Sequence, residues 1–171
     1  DINLILKKTN LSKDKIILIK GSGVDLKEYR YSKLINKKNI NFLMVSRLLY
    51  DKGVVEFLNA SRSLIDNNCF ADFTLIGDYD SNNPSSLNPK IINHWKSFEN
   101  ANYLGFKRDI KSYLINSDVV ILPSYREGMP KILIEASSIG RAIITTNVPG
   151  CKECVIDNKN GFVIEPKNTK E

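Results

Sequence analysis

The stretch "DVVILPSYREGMPKILIEASSIGRAIITTNV", residues 118–148, reads as a strand, a helix and a second strand. "DVVILPS" (118–124) and "AIITTNV" (142–148) are apolar along most of their length and do not alternate with polar residues. That pattern belongs to strands buried on both faces of a parallel sheet. Between them, "PKILIEASSIG" (130–140) opens on a proline that presets a first helical turn and closes on Gly140 as a stop. Strand, crossover helix, strand is the repeating unit of an α/β fold. One residue type is out of place. Glu135 lies inside the apolar helix, and Glu127 stands eight positions before it. Burying an unpaired carboxylate is expensive. Glu135 is therefore either a wet-face residue of an amphipathic helix or a member of a ligand site at the helix's N-terminal end.

Outward from this unit the same alternation continues. Further strand candidates are "KIILIK" (15–20), "INFLMVS" (40–46), "DFTLIG" (72–77), "NYLGF" (102–106) and "GFVIE" (161–165). Helical spacing marks 52–67, 88–100 and 108–117, with a short helix near 150–156. Asn88 is placed to cap the second of these and Pro89 to open its first turn. The polar segment 79–89 reads as a loop within one domain. These elements imply a Rossmann-like, doubly wound, mostly parallel sheet with helices on both faces.

Composition is ordinary for a globular domain: 171 residues, 42% hydrophobic and 26% charged. No apolar run approaches the roughly 20 residues a membrane-spanning helix needs. The net charge of +6 favours anionic partners, and a pI near 9.2 agrees. The lysines are scattered, so phosphorylated small molecules or an anionic membrane surface fit better than nucleic acid. Three cysteines and one histidine make a disulfide framework or a zinc site unattractive. Cys151-x-x-Cys154 reads as two small semi-apolar residues in a reducing compartment. The chain opens without Met, in an amphipathic segment. It is expected to be a piece of a longer protein, with 1–14 a linker or the end of a preceding domain and 15–171 one domain, incomplete at its C-terminus.

In the strand order 3-2-1-4-5-6, the strands at 40–46 and 118–124 are neighbours at the topological switch point, where ligands bind beyond the carboxyl ends. "SRLLYDKG" (46–53) emerges there with Arg47 and Lys52, and "SYREGMP" (124–130) emerges beside it. Two cations on one loop, facing a helix N-terminus, suit a diphosphate. Gly128 permits close approach of a ligand, and the amides around Met129, Lys131 and Ile132, next to Pro130, are placed to donate. Glu127 and Glu135 then flank the anion site, suited to accept from sugar hydroxyls on either side. A nucleoside diphosphate sugar has that layout. The chain offers no carboxylate cluster suited to Mg²⁺, so no metal or other cofactor is expected. "GSG" (21–23) imitates a dinucleotide fingerprint, but Leu26 replaces the third glycine.

Several of these segments together resemble the C-terminal, donor-binding domain of the GT-B fold glycosyltransferases, in particular the retaining family 4. "GSGVD", "VSRLLYDKG", "LIGD" and the long run from "YLGFKRDIKSYL" to "NKNGFVI" follow the family's order and spacing. The resemblance implies that Arg47 and Lys52 hold the donor diphosphate and that Glu127 contacts the transferred sugar. The amides of Gly128, Met129, Lys131 and Ile132, with Pro130, line the sugar and phosphates, and Glu135 holds the ribose. Phe106, Lys107 and Arg108 cover the base, and Gly23 lies near the reacting centre. "REGMPK" is like the subset that builds bacterial capsule or lipopolysaccharide, often from UDP-N-acetylhexosamines. The implied partners are a nucleotide-sugar donor and a glycan or lipid-linked acceptor held by an N-terminal domain outside this chain. The implied location is cytoplasmic, with peripheral association at the inner face of the membrane. A UDP-sugar epimerase-like domain, a non-catalytic nucleotide-binding domain and a nicotinamide oxidoreductase remain alternatives.

Overall fold

The computed structural model describes residues 2–19 and 21–170. Six strands form one sheet: β1 (Ile40–Val45), β2 (Ala71–Ile76), β3 (Ala101–Tyr103), β4 (Val119–Leu122), β5 (Ala142–Thr146) and β6 (Gly161–Ile164). Their order is β3-β2-β1-β4-β5-β6 and every pairing is parallel. β1 and β4 are neighbours, with Phe42 opposite Val119 and Leu43 opposite Val120. The switch point therefore stands where the apolar runs put it. The helices are α1 (Ile2–Lys8), α2 (Val54–Asp66), α3 (Pro89–Trp95), α4 (Lys111–Asn116) and α5 (Lys131–Ile139).

The local reasons are readable. α2 buries Val54, Phe57, Leu58 and Ser61, one helical stripe. Phe57 meets Phe73 of β2 edge-on at 6.1 Å and Trp95 of α3 at 6.0 Å, while the Trp95 indole N–H donates to Ser61 Oγ at 2.8 Å. Asn88 caps α3 by accepting from the Lys90 amide, with Pro89 in the first turn. α4 and α5 pack together, and α5 lies against β4 and β5. α5 ends at Gly140 in the left-handed region at φ +88°, its N–H returning to the carbonyls of Ala136 and Ser137.

Some expectations are corrected. Residues 15–19 form no strand. Lys13–Lys15 is a 3-10 turn, and the extended residues after it leave Ile17 87% exposed. An apolar run becomes a strand only where another strand accepts its backbone bonds, and none of the six does so here. Lys20, the last residue of that expected strand, lies outside the described residues, as do Asp1 and Glu171. The segment 1–14, expected as a linker or the end of a preceding domain, contains helix α1, which bears on neither alternative. Helix 52–67 starts only at Val54, because Tyr50–Lys52 is a 3-10 turn and Gly53 adopts φ +70°. The strand expected at 102–106 is instead the shorter Ala101–Tyr103, and the helices at 88–100 and 108–117 are shorter at both ends. The segment near 150–156 is a 3-10 turn at Lys152–Cys154.

Candidate functional site

Two loops leave the carboxyl ends of β1 and β4 and are stitched together. Ser124 Oγ donates to the Asp51 carbonyl at 3.0 Å, and the Tyr125 amide donates to the same oxygen at 2.9 Å. Gly53 fits between them only as glycine, since a Cβ there would lie 2.1 Å from the Pro123 carbonyl oxygen. This close approach brings Lys52 Nζ within 2.6 Å of Glu127 Oε1, with the side chains 19% and 13% exposed. Arg47 turns elsewhere. Its guanidinium pairs with Asp80 at 2.8 Å on the loop after β2. The loop cations are therefore held by different carboxylates.

The Glu127 loop rests on the turn after β5. Thr146 Oγ1 donates to the Ser124 carbonyl, and Thr145 Oγ1 donates to the Leu122 carbonyl at 2.8 Å. A Cβ at Gly150, which has φ +90°, would lie 1.9 Å from the Gly128 carbonyl oxygen. Cys151 is fully buried here, and burial pushes its thiol pKa up; that of Cys154 is pushed up to about 11. Both are free thiols and stay protonated at neutral pH, as the reading of small semi-apolar residues expected.

Pro130 stands just outside α5, in extended conformation (φ −70°, ψ 120°), so Lys131 and not the proline opens the helix. The first helical bond is from the Leu133 amide to the Pro130 carbonyl, at 3.1 Å, and the amides of Lys131 and Ile132 precede it. Gly128 is exposed, with open space where a Cβ would stand. Met129 packs its side chain on Gly21, where a Cβ would meet its sulfur at 2.6 Å.

Glu135 settles the question its position raised. It is only 6% exposed, so it is not a wet-face residue. Tyr29 lines the same cleft, and Lys131, one turn earlier, attracts the carboxylate. Burial is the largest influence and, with Glu28 nearby, raises the Glu135 pKa above the ordinary carboxylate range. Glu135 and Lys131 form one wall of a cleft of about 600 Å³. Ser22, Gly23, Val24, Asp25, Glu28 and Tyr29 form the other. Gly23 holds φ +72°. Among the described residues no strand precedes "GSG", and a turn, not a helix, follows it at 26–28. The dinucleotide fingerprint thus lacks the setting it needs.

The structure thus brings Lys52 to Glu127, and Gly23 to Glu135 and Lys131. It does not bring Phe106, Lys107 or Arg108 into that cleft. They follow Gly105 beyond β3, with Phe106 69% exposed. Sequence reasoning missed Tyr29, Glu28 and the Asp80 partner of Arg47. The "VD" at 24–25 was a usable signal. Asp25 Oδ1 accepts from the amides of Lys27 and Glu28 and sets the turn that delivers Glu28 and Tyr29 to the cleft. Among the described residues, no helix is long and apolar enough to cross a membrane.

Residues 25–171 match the model of the family described as glycosyl transferases group 1. The chain is 33% identical to the N,N'-diacetylbacillosaminyl-diphospho-undecaprenol alpha-1,3-N-acetylgalactosaminyltransferase of Campylobacter jejuni, over 97% of this chain and 45% of that protein. It is 32% identical to the UDP-Gal:alpha-D-GlcNAc-diphosphoundecaprenol alpha-1,3-galactosyltransferase of Escherichia coli, over 96% of this chain and 45% of that protein. The chain spans about half the length of these curated relatives. The solved glycosyltransferase of Rickettsia africae superposes with a TM-score of 0.79 at 22% identity, covering 99% of this chain and 48% of that one, which places the fold among the GT-B glycosyltransferases.

Proposed function

Since this chain belongs to the glycosyl transferases group 1 family, we propose that it is the donor-binding half of a retaining, metal-independent glycosyltransferase. Its donor is a UDP-hexose or UDP-N-acetylhexosamine. Its acceptor is a glycan or lipid-linked saccharide held by a second domain, in the assembly of a bacterial surface polysaccharide. The activities of the two relatives, both on undecaprenyl-diphosphate-linked acceptors, support this class. A lipid-linked acceptor and the charge of +6 favour work at the inner membrane face by peripheral contact.

The observation that carries the reading is the Lys52–Glu127 pair next to the start of α5, with Glu135 buried in the following cleft. A diphosphate is a stronger partner for Lys52 than one carboxylate, because it offers more charge and more acceptor oxygens. When it binds, Glu127 is released to accept a hydrogen bond from the sugar. Arg47 exchanges Asp80 for the phosphates. The amides of Met129, Lys131 and Ile132 donate to phosphate and sugar oxygens, with Gly128 leaving room. Glu135 accepts from the ribose diol, Gly23 lies by the reacting centre, and Phe106, Lys107 and Arg108 cover the base. As the sugar–phosphate bond breaks, negative charge grows on the diphosphate, and fixed cations and amides stabilise it there. That donor set meets the leaving group's charge with protein groups alone. The acceptor hydroxyl attacks from the leaving-group face, and the departing phosphate takes its proton.

The test is calorimetry on the complete natural polypeptide in EDTA, with UDP and uridine. Lys52→Ala is expected to weaken UDP binding by roughly 10- to 100-fold, the worth of a charge-assisted contact, and to leave uridine binding unchanged. Equal losses for both ligands, or binding that requires Mg²⁺, overturn the reading. The anomeric configuration of the transferred sugar, read by NMR, tests retention.

A further inference from the structure

We propose that the apolar groove beside α2 is the dock for an amphipathic helix that the natural polypeptide forms after residue 171, with Asn168 as its N-cap. The groove lies apart from the donor cleft and shares no lining residue with it.

A parallel sheet needs cover on both faces, because its strands are apolar on both sides. In this strand order, right-handed crossovers put α2 and α3 on one face, over β1, β2 and β3, and α4 and α5 on the other. The contacts agree: Phe57 of α2 meets Trp95 of α3, and α4 packs with α5. The first face is therefore only half covered. Over β4, β5 and β6 it presents Ile121, opposite Ile144, which is opposite Phe162, one apolar row across three strands. Successive side chains on a strand point to opposite faces. Val120 and Ile143 accordingly point to the covered face and are fully buried, whereas Ile121 and Ile144 are half-buried and Phe162 is 55% exposed. The bare half forms a groove of about 590 Å³ with Phe42, Ile121, Ile144 and Ile164 as its floor. Among the described residues, α2 is the only helix in its walls. A contiguous apolar surface of this kind marks an interaction site.

The chain after β6 shows what kind of segment covers it. Lys167 adopts φ +64°, and the Asn168 amide donates to the Glu165 carbonyl at 3.3 Å, so the chain turns there. Asn168, Thr169 and Lys170 then line the groove. Asn168 Oδ1 accepts from the Lys170 amide, two residues on, at 3.1 Å. Asn88 makes the same bond to the Lys90 amide, at 2.9 Å, where it caps α3. Glu171 stands three positions after Asn168 in the sequence, the spacing of a capping box. Hydrogen bonding and sequence thus both mark a helix start at the edge of the groove. More than half of each curated relative lies outside the part that this chain matches, ample length for one more helix. The floor sets the helix's chemistry. Its inner stripe is aliphatic or aromatic at i, i+3, i+4 and i+7, and its outer face is polar.

The experiment is thiol labelling of the complete natural polypeptide carrying Ile144→Cys, at the centre of the floor. Cys69, a free and exposed thiol, is the internal reference, and labelled sites are read by peptide mapping. With the helix in place, position 144 should label roughly 100-fold more slowly than Cys69, because the reagent enters only on local opening. Asn168→Ala should speed labelling at 144 about 5-fold, the effect of one lost N-cap, and Asn168→Asp should leave it unchanged. Hydrogen exchange on the unsubstituted polypeptide gives a second reading that no folding defect disturbs: a run of protected amides should begin just after residue 171. Labelling at 144 less than about tenfold slower than at Cys69 overturns the proposal. Protection that rises with protein concentration also overturns it, since a second copy would then be the cover. So do protection at 144 that Asn168→Ala leaves untouched, and the lack of protected amides after residue 171.

Discussion

Lys52 and Arg47 belong to one loop, and each ends on a carboxylate, yet the pairs are physically unlike. Lys52–Glu127 is 2.6 Å long with side chains 19% and 13% exposed, whereas Arg47–Asp80 is 2.8 Å long with side chains 59% and 31% exposed. An exposed pair gains little net free energy, about 0–1 kcal/mol, because water solvates and screens both ions. A mostly buried pair is different in kind. Its net worth is modest, but removing one partner strands the other charge without solvent. The contrast separates a pinned cation, oriented in advance, from a mobile one that can change partner when an anion arrives.

The largest expected effect breaks the buried pair without touching it. Gly150→Ala places a Cβ 1.9 Å from the Gly128 carbonyl oxygen, at φ +90°. Backbone would have to move, and with it Glu127. We expect a loss of more than about 2 kcal/mol, the left-handed strain of about 1–2 kcal/mol plus the clash, measured by urea denaturation, together with loss of UDP binding. A stable Gly150→Ala protein with unchanged binding would show that this turn does not hold the Glu127 loop.

Next comes the buried pair itself. Lys52→Met should destabilise the protein by about 2 kcal/mol, below the roughly 3–5 kcal/mol of a fully buried pair because some water reaches it. The double variant Lys52→Met, Glu127→Leu should recover most of that stability and no binding. If the double variant is as unstable as the two single ones summed, the pair is not a coupled unit.

Glu135→Gln should move stability and binding in opposite directions. Its pKa is raised in the folded protein, so the native state holds the proton more tightly than the unfolded chain does. Stability therefore falls as pH rises from the unfolded carboxyl pKa through the raised folded one, and above that the ionised Glu135 is a destabilising group. The neutral amide should raise Tm at pH 8 by roughly 2–4 °C, the shift about 1 kcal/mol produces in a domain of this size. The gain should vanish toward pH 4, and UDP should bind more weakly at pH 8, with that deficit shrinking as Glu135 of the wild type is protonated. A gain that does not depend on pH would detach it from ionisation.

The smallest effect falls on the exposed pair. Asp80→Asn should change stability by less than about 1 kcal/mol. It should tighten UDP binding a few-fold at low salt by freeing Arg47, with the advantage fading at high ionic strength. Weaker binding would mean that Asp80 presents Arg47 to the ligand and does not hold it back.

How much of this was readable in advance depends on what each feature rests on. Six of the seven apolar runs became strands in the expected order, since a buried parallel strand has no polar alternation to confuse it. "KIILIK" carries the same signal as "INFLMV", but its described residues 15–19 lack a pairing neighbour, and no property of their own reveals that. The ends of helices were misjudged where a single backbone geometry intervened, as at Gly53. Glu135 was conspicuous as a carboxylate in an apolar helix, but the residue across the cleft from it was not. Tyr29 lies far away in sequence, in a stretch that resembled a weak cofactor fingerprint.

The sequence by itself determined the alternation of elements, the parallel sheet and the residue types offered at the switch point. Those follow from periodicity and from turn residues, which act over a few neighbours along the chain. The tertiary structure alone decided which carboxylate each cation meets, that Glu135 is buried and not wet, and that Tyr29 faces it. Those depend on distances between remote segments and on how far water is excluded between them. Coulomb and hydrogen-bond energies vary steeply with both.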